Sequence, residues 1–178
     1  MAGKLHRITK RGFTMIRIAI VEDDTGYRSQ LGKYIDQYQS DFSETVSVSE
    51  FSDGLEIVEK YKSEYDIILM DIQMKHMDGM QAAMRIRDMD KNVIIIFITN
   101  SAQFAVQGYK VEALDYVLKP IQYFAFSQVL HNAVKKVYGK SKFYIERRCF
   151  HGNLLFRQQG HFPNQRLRRR LLSSTGIT

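Results

Sequence analysis

Six side chains carry the chemistry this sequence can do. Glu22, Asp23 and Asp24 follow the apolar run IRIAIV, Asp71 follows DIILM, Thr99 follows VIIIFI, and Lys119 follows LDYVL. Carboxylates brought close together cannot all stay ionised without compensation: one takes up a proton, or a hard cation sits among them. Oxygen-only ligands, with no thiol and no clustered histidine, suit Mg²⁺. A carboxylate beside Mg²⁺ and a lysine can attack a phosphoryl group and form an acyl phosphate, the two cations offsetting the added oxyanion charge. Taken singly, each residue has a plainer role. An aspartate after a strand is most often a helix cap, and Asp24 fits the N-cap of the helix that follows. Thr99 alone would cap a helix, and Lys119 alone would be a solvated charge. Their coincidence at successive strand ends is what points to a site.

The elements that must position these residues can be read from periodicity. Ile16 to Val21, Thr45 to Phe51, Asp66 to Met70, Val93 to Ile98 and Leu114 to Leu118 read as strands. Tyr27, Leu31, Tyr34, Ile35 and Tyr38 recur at helical spacing after the first strand. Leu55, Val58 and Tyr61 mark a second helix after the Asp53-Gly54 break. Met80, Ala83 and Met84 open a third, and Ala102 to Lys110 is a weak fourth. Phe126, Val129, Leu130, Ala133, Val134 and Val137 define a fifth. Strands alternating with helices argue for crossover connections and a parallel sheet, and the wholly apolar central strands agree, since such a sheet is covered on both faces. The expected fold is α/β: a doubly wound, flavodoxin-like five-stranded parallel sheet of order 2-1-3-4-5, with a short, basic, mostly irregular C-terminal tail. In that order the acids, the hydroxyl and the amine face one crevice beyond the strand ends.

Charge divides the chain of 178 residues into three parts. Residues 16–138 carry a net charge of −5, residues 1–15 carry +4 and residues 139–178 carry +8. A whole-chain argument from basicity to nucleic acid would therefore rest on the ends alone. Residues 1–15 lack the apolar core of a signal peptide and read as a disordered leader, or as an overlong start with the natural one at Met15. Residues 16–138 form the expected domain. Gly139 to Lys142 reads as a linker, Phe143 to Ile145 as the opening of a strand, and the remainder, with Arg168-Arg169-Arg170, as a basic tail. No apolar run is long enough to cross a bilayer, so no membrane is expected. The single cysteine, Cys149, rules out an internal disulfide framework and fits a reducing cytoplasm.

The segments IAIVEDD, IILMDIQMKHMDGM, FITN and ALDYVLKPI together resemble the receiver domain of two-component response regulators, from about Met15 to Tyr138. That resemblance implies that Asp71 accepts a phosphoryl group from a histidine kinase. It makes Glu22 and Asp23 the acidic pair around Mg²⁺, with Asp23 the more direct ligand and the main-chain carbonyl of Gln73 a further oxygen. Thr99 would bond the phosphoryl group, Tyr116 would follow Thr99, and Lys119 would pair with the acyl phosphate. The Lys119-Pro120 peptide would be cis. The face of the fourth helix, fifth strand and fifth helix would change on phosphorylation, bind a partner and support a homodimer, with Phe104 and Tyr109 as exposed aromatic surface or as ordinary core contacts. Three positions depart from the commonest family form: Glu22 stands for aspartate, Lys75 for proline and Asn100 for alanine.

ALDYVLKPI with the following FYIE resembles response regulators that carry a LytTR-type DNA-binding domain. Only the first strand of that module is expected here, in a truncated or frame-shifted product. The alternative is a short basic arm that holds nucleic acid through phosphate charge. The leading reading is a phosphorylation-controlled switch, not a turnover enzyme, with transcription regulation as the family output. The competing readings are a Mg²⁺-dependent phosphohydrolase with an aspartyl nucleophile, and a basic DNA-binding protein acting through the tail. The hydrolase needs a D-x-D pattern after the first strand, which Glu22-Asp23-Asp24 does not match.

Overall fold

The structure, a computed structural model, describes residues 15–104 and 111–151, with side chains described as far as residue 139. The leader at 1–14 and the tail at 152–178, with Arg168 to Arg170, lie outside the described residues. The chain divides into two compact units, residues 1–142 and 143–178; the sheet and the site belong to the first.

Five strands form one parallel sheet of order β2-β1-β3-β4-β5, with β1 Ile16–Val21, β2 Val46–Phe51, β3 Ile67–Met70, β4 Ile94–Thr99 and β5 Asp115–Leu118. Register runs straight across the centre: Ile18 faces Ile67, Ile67 faces Ile94, and Ile96 faces Asp115. Side chains alternate between the sheet faces, so each central strand feeds two cores. Ile16, Ile18, Ile20, Ile67, Leu69, Ile94 and Ile96 pack with Leu31, Ile35 and Tyr38 of α1 (Thr25–Phe42) and with Phe126, Leu130 and Val134 of α4 (Tyr123–His151). Ala19, Val21, Ile68, Met70, Ile95 and Phe97 pack with Ile57 of α2 (Gly54–Lys60) and with Met80, Ala83 and Ile86 of α3 (Gly79–Met89). Ile35 is fully buried, and its truncation to alanine would cost about 2–5 kcal/mol.

Each of the first three helices begins at an aspartate. Asp24 Oδ1 accepts the Tyr27 N–H at 2.8 Å, as the sequence predicted for α1. Asp53 accepts from Leu55 at the start of α2, and Asp78 from Gln81 at the start of α3. Short polar side chains there satisfy amides that the helix leaves without partners. This places β-strand carboxyl ends and helix N-termini on the same edge of the sheet.

One expectation is described only in part and another changes. Of the predicted fourth helix, Ala102–Phe104 is a single 3-10 turn and residues 105–110, with Tyr109, lie outside the described residues. Phe104 is partly buried against the α2/α3-side core, the ordinary contact of the two roles considered for it. The last helix does not stop near Val137: its backbone runs to His151, so residues 139–142 are helical, Phe143 to Ile145 is not a strand, and the tail is not irregular over this stretch. Gly139 costs a helix only about 1 kcal/mol, a Cβ there would meet nothing within 4 Å, and no proline interrupts the Lys, Glu and Arg that follow. The β preference of Phe143, Tyr144 and Ile145 is the weaker signal in that setting.

Candidate functional site

β1, β3 and β5 end side by side or one strand apart, and their next residues converge. Glu22, Asp71 and Lys119 lie just beyond the three strands, almost wholly out of solvent. Lys119 Nζ donates to Glu22 Oε2 at 2.6 Å and to Asp71 Oδ2 at 2.7 Å. The other Asp71 oxygen, Oδ1, accepts main-chain N–H bonds from Ile72 at 2.6 Å and Gln73 at 3.2 Å. Both Asp71 oxygens are thus held by donors, which sets the plane of the carboxylate. Beneath Lys119 lies the ring of Tyr27, its centroid 4.4 Å from the ammonium. The Lys119–Pro120 peptide is cis.

Glu22, Asp23 and Asp71 each bring a carboxylate oxygen to within 4.8 Å of the others. One ammonium does not neutralise three carboxylates. Burial pushes the Glu22 carboxyl above its ordinary value, with the nearby Asp71 charge acting in the same direction and Lys119 opposing both. Burial works to lower the Lys119 pKa, but its bonds to Asp71 and Glu22 outweigh this and hold it above the usual lysine value. The carboxylate of Asp23 makes no hydrogen bond among the described residues and is half-buried at the cleft. An all-oxygen donor set with excess negative charge fits a hard divalent cation.

These groups line an open cleft of about 450 Å³ with Asp24, Tyr27, Gln73, Asn100 and Pro120. Of the residues singled out from the sequence, Glu22, Asp23, Asp71, Gln73, Lys119 and Pro120 meet there. Thr99 and Tyr116 do not line it. Thr99 is fully buried at the end of β4, and its Oγ1 accepts the Ser101 N–H at 3.5 Å. Tyr116 is half-buried on β5, its ring centroid 6.1 Å from that of Phe97, and its hydroxyl donates to the Ser101 carbonyl. The departure Glu22 has a visible consequence: its longer arm reaches Lys119, while its Oε1 accepts the Asp24 N–H at 3.3 Å.

A family model of the response regulator receiver domain matches residues 18–131. The chain belongs to that family. Among curated proteins, this receiver chain is 31% identical over 129 residues to sensory transduction protein LytT of Oceanobacillus iheyensis, covering 71% of this chain and 51% of that protein. It is 32% identical over 108 residues to transcriptional regulatory protein YpdB of Escherichia coli, covering 60% and 43%. The response regulatory domain of MrkE from Klebsiella pneumoniae superposes with a TM-score of 0.63 at 26% identity, covering 70% of this chain and 99% of that domain. The chain spans about half the length of the curated relatives it matches.

Three residues around the receiver cleft escaped the sequence reading. Tyr27 counted only as a helix-face aromatic. Arg28 was not singled out, yet its guanidinium donates to the Glu22 carbonyl and pairs with Glu50 Oε2 at 3.2 Å. Asp53 was only a strand break, yet it ties α2 to the loop after Asp71. For Arg28 a signal existed: it lies four residues beyond the Asp24 cap, one helical turn above the acidic run.

Proposed function

We propose that Asp71 is the phosphoryl acceptor of a two-component switch, phosphorylated by a sensor histidine kinase. The observation that carries this reading is the buried set of Glu22, Asp71 and Lys119 with Asp23 at its open side. An Asp71 carboxylate oxygen attacks phosphorus as the bond to the donor's leaving nitrogen breaks and that nitrogen keeps the electron pair. Lys119 remains beside the acceptor and offsets the charge of the acyl phosphate. The Ile72 and Gln73 amides keep the carboxylate from rotating. Asp23, Asp71 and the Gln73 carbonyl, with Glu22 behind them, would hold Mg²⁺. When bound, the ion neutralises the oxygens of the transferring group.

The added charge then draws the Thr99 hydroxyl toward the site, and Tyr116 repacks into the space released. The face of β5 and α4, with the segment before β5, changes and binds a partner or a second copy. The likeness to curated regulators supports regulation of transcription as the output, exerted in the cytoplasm; a DNA-binding contribution of residues 139–178 belongs to the same proposal. The chain acts as a regulatory switch, its only turnover a slow loss of its own phosphoryl group.

Incubation with Mg²⁺ and acetyl phosphate tests this. The expected product is one acid-stable, alkali-labile phosphoryl group per chain, absent in Asp71→Asn. Rapid multiple turnover of phosphate esters would instead identify a hydrolase.

A further inference from the structure

The loop from Asp71 to Gly79 contains no proline, with Lys75 at its exposed tip. Its shape therefore depends on hydrogen bonds. The two ends are tied locally. Asp71 Oδ1 takes the Ile72 and Gln73 amides, and the Ile72 carbonyl takes those of Met74 at 3.2 Å and Gly79 at 2.9 Å. Gly79 permits that closure, because a Cβ there would collide with the Asp71 carbonyl oxygen.

The tip is tied from elsewhere. Asp53, at the end of β2 and 7% exposed, accepts the His76 N–H on Oδ2 at 3.0 Å and the Met77 N–H on Oδ1 at 3.2 Å. Oδ1 also accepts the Leu55 N–H at 2.8 Å as the cap of α2. Bonds to an ionised carboxylate are stronger than those between neutral groups. Burial alone would raise the Asp53 carboxyl, but the three amides hold it below its ordinary value. The loop also rests directly on the start of α2: a Cβ on Gly54 would lie 2.5 Å from the Met77 carbonyl oxygen.

We infer that Asp53 is a positioning residue for the acceptor loop: by clamping the His76 and Met77 amides it holds the segment carrying the Gln73 carbonyl at the cleft. This rests on the reading of Gln73 and Asp71 given above. The carboxylate does two separable things, and substitution separates them. Serine is a good N-cap but has one oxygen and a shorter reach, so Asp53→Ser keeps the α2 cap and frees the loop amides. Asp53→Asn keeps an acceptor for Leu55 and Met77 and sets an NH₂ against the His76 N–H. Gly54→Ala pushes on the loop without touching the carboxylate.

The test measures amide hydrogen exchange at His76 and Met77, and the affinity for Mg²⁺ alone by calorimetry. Asp53→Ser is expected to speed exchange at both amides by about tenfold and to weaken Mg²⁺ binding by about tenfold. Asp53→Asn falls between it and wild type, and Gly54→Ala weakens Mg²⁺ binding in the same direction. Ile57→Val, which loosens the core under α2, leaves Mg²⁺ affinity unchanged. Protected amides in Asp53→Ser overturn the inference. So does faster exchange with wild-type Mg²⁺ affinity, or an equal loss in Ile57→Val. Neither readout needs a phosphoryl donor, so a wild-type chain that takes no label would defeat the acceptor reading separately.

Discussion

On the β1–β3 side of the sheet edge, Glu22 and Asp71 are buried and share one ammonium at 2.6 and 2.7 Å. On the β4–β5 side, the Thr99 hydroxyl has one long hydrogen bond of 3.5 Å among the described residues, and Tyr116 is half-buried with its hydroxyl on the Ser101 carbonyl. Lys119 belongs by sequence to the second side and by its bonds to the first. The contrast separates two tasks. Phosphoryl chemistry gains from groups held in place before the donor arrives. A response gains from groups whose alternatives differ by little free energy, so that one added charge can shift the balance.

The most direct way to break the contrast is to remove Lys119. Its side chain is 7% exposed and its partners are less exposed still, so Lys119→Met leaves two buried carboxylates without their cation. A loss of about 3 kcal/mol is expected in urea unfolding without metal, and millimolar Mg²⁺ is expected to restore part of it by binding the folded state alone. The lysine also contributes to the alkaline limb of stability. Its folded pKa lies above the ordinary 10.5, so its contribution is whole below 10.5 and is lost as pH rises through the folded value. Lys119→Met should make that limb shallower, the raised tyrosines Tyr38 and Tyr123 supplying part of what remains.

Asp53 sets part of the acid limb in the opposite sense. Its folded pKa lies below 3.8, so its contribution is whole above that value and is lost as pH falls through the lower one. The stability difference between wild type and Asp53→Ser should shrink at the acid end of a pH series of unfolding curves.

Thr99→Val sharpens the comparison from the other side. It removes one weak contact, so stability should move by no more than about 1 kcal/mol and labelling should persist. The amide shifts of residues 115–118 on phosphorylation, followed by NMR, should fall sharply. Tyr116→Phe is the mildest change: it loses the bond to the Ser101 carbonyl, about 0.5–1 kcal/mol, and leaves the labelling rate unchanged.

The acid side was the more legible of the two in the sequence, for a physical reason. β3 is buried on both faces and β1 is too except at Arg17, so both read as apolar runs, and the acid after each marks the sheet edge. Asp24 was legible as a cap because capping is local. Asp53 was not, since two of its three amide partners lie 23 and 24 residues away and nothing near Asp53-Gly54 announces them. Tyr27 is similar, since its role comes from what α1 packs beside; Arg28 differs, because its spacing from the Asp24 cap is local and readable. The last helix was misjudged at Gly139, where a tolerable break in helical preference looked like an end. Ala102 to Lys110 was weak in pattern, and its described part is one turn.

One aspartate, Asp71, held by Lys119 and two main-chain amides, is the expected site of phosphorylation. Borohydride reduction after labelling with acetyl phosphate and Mg²⁺ converts an aspartyl phosphate to homoserine, and peptide mass spectrometry locates it. Homoserine is expected at position 71 in the wild-type chain and nowhere else. Homoserine at position 23 or 24, or any that persists in Asp71→Asn, would contradict that expectation.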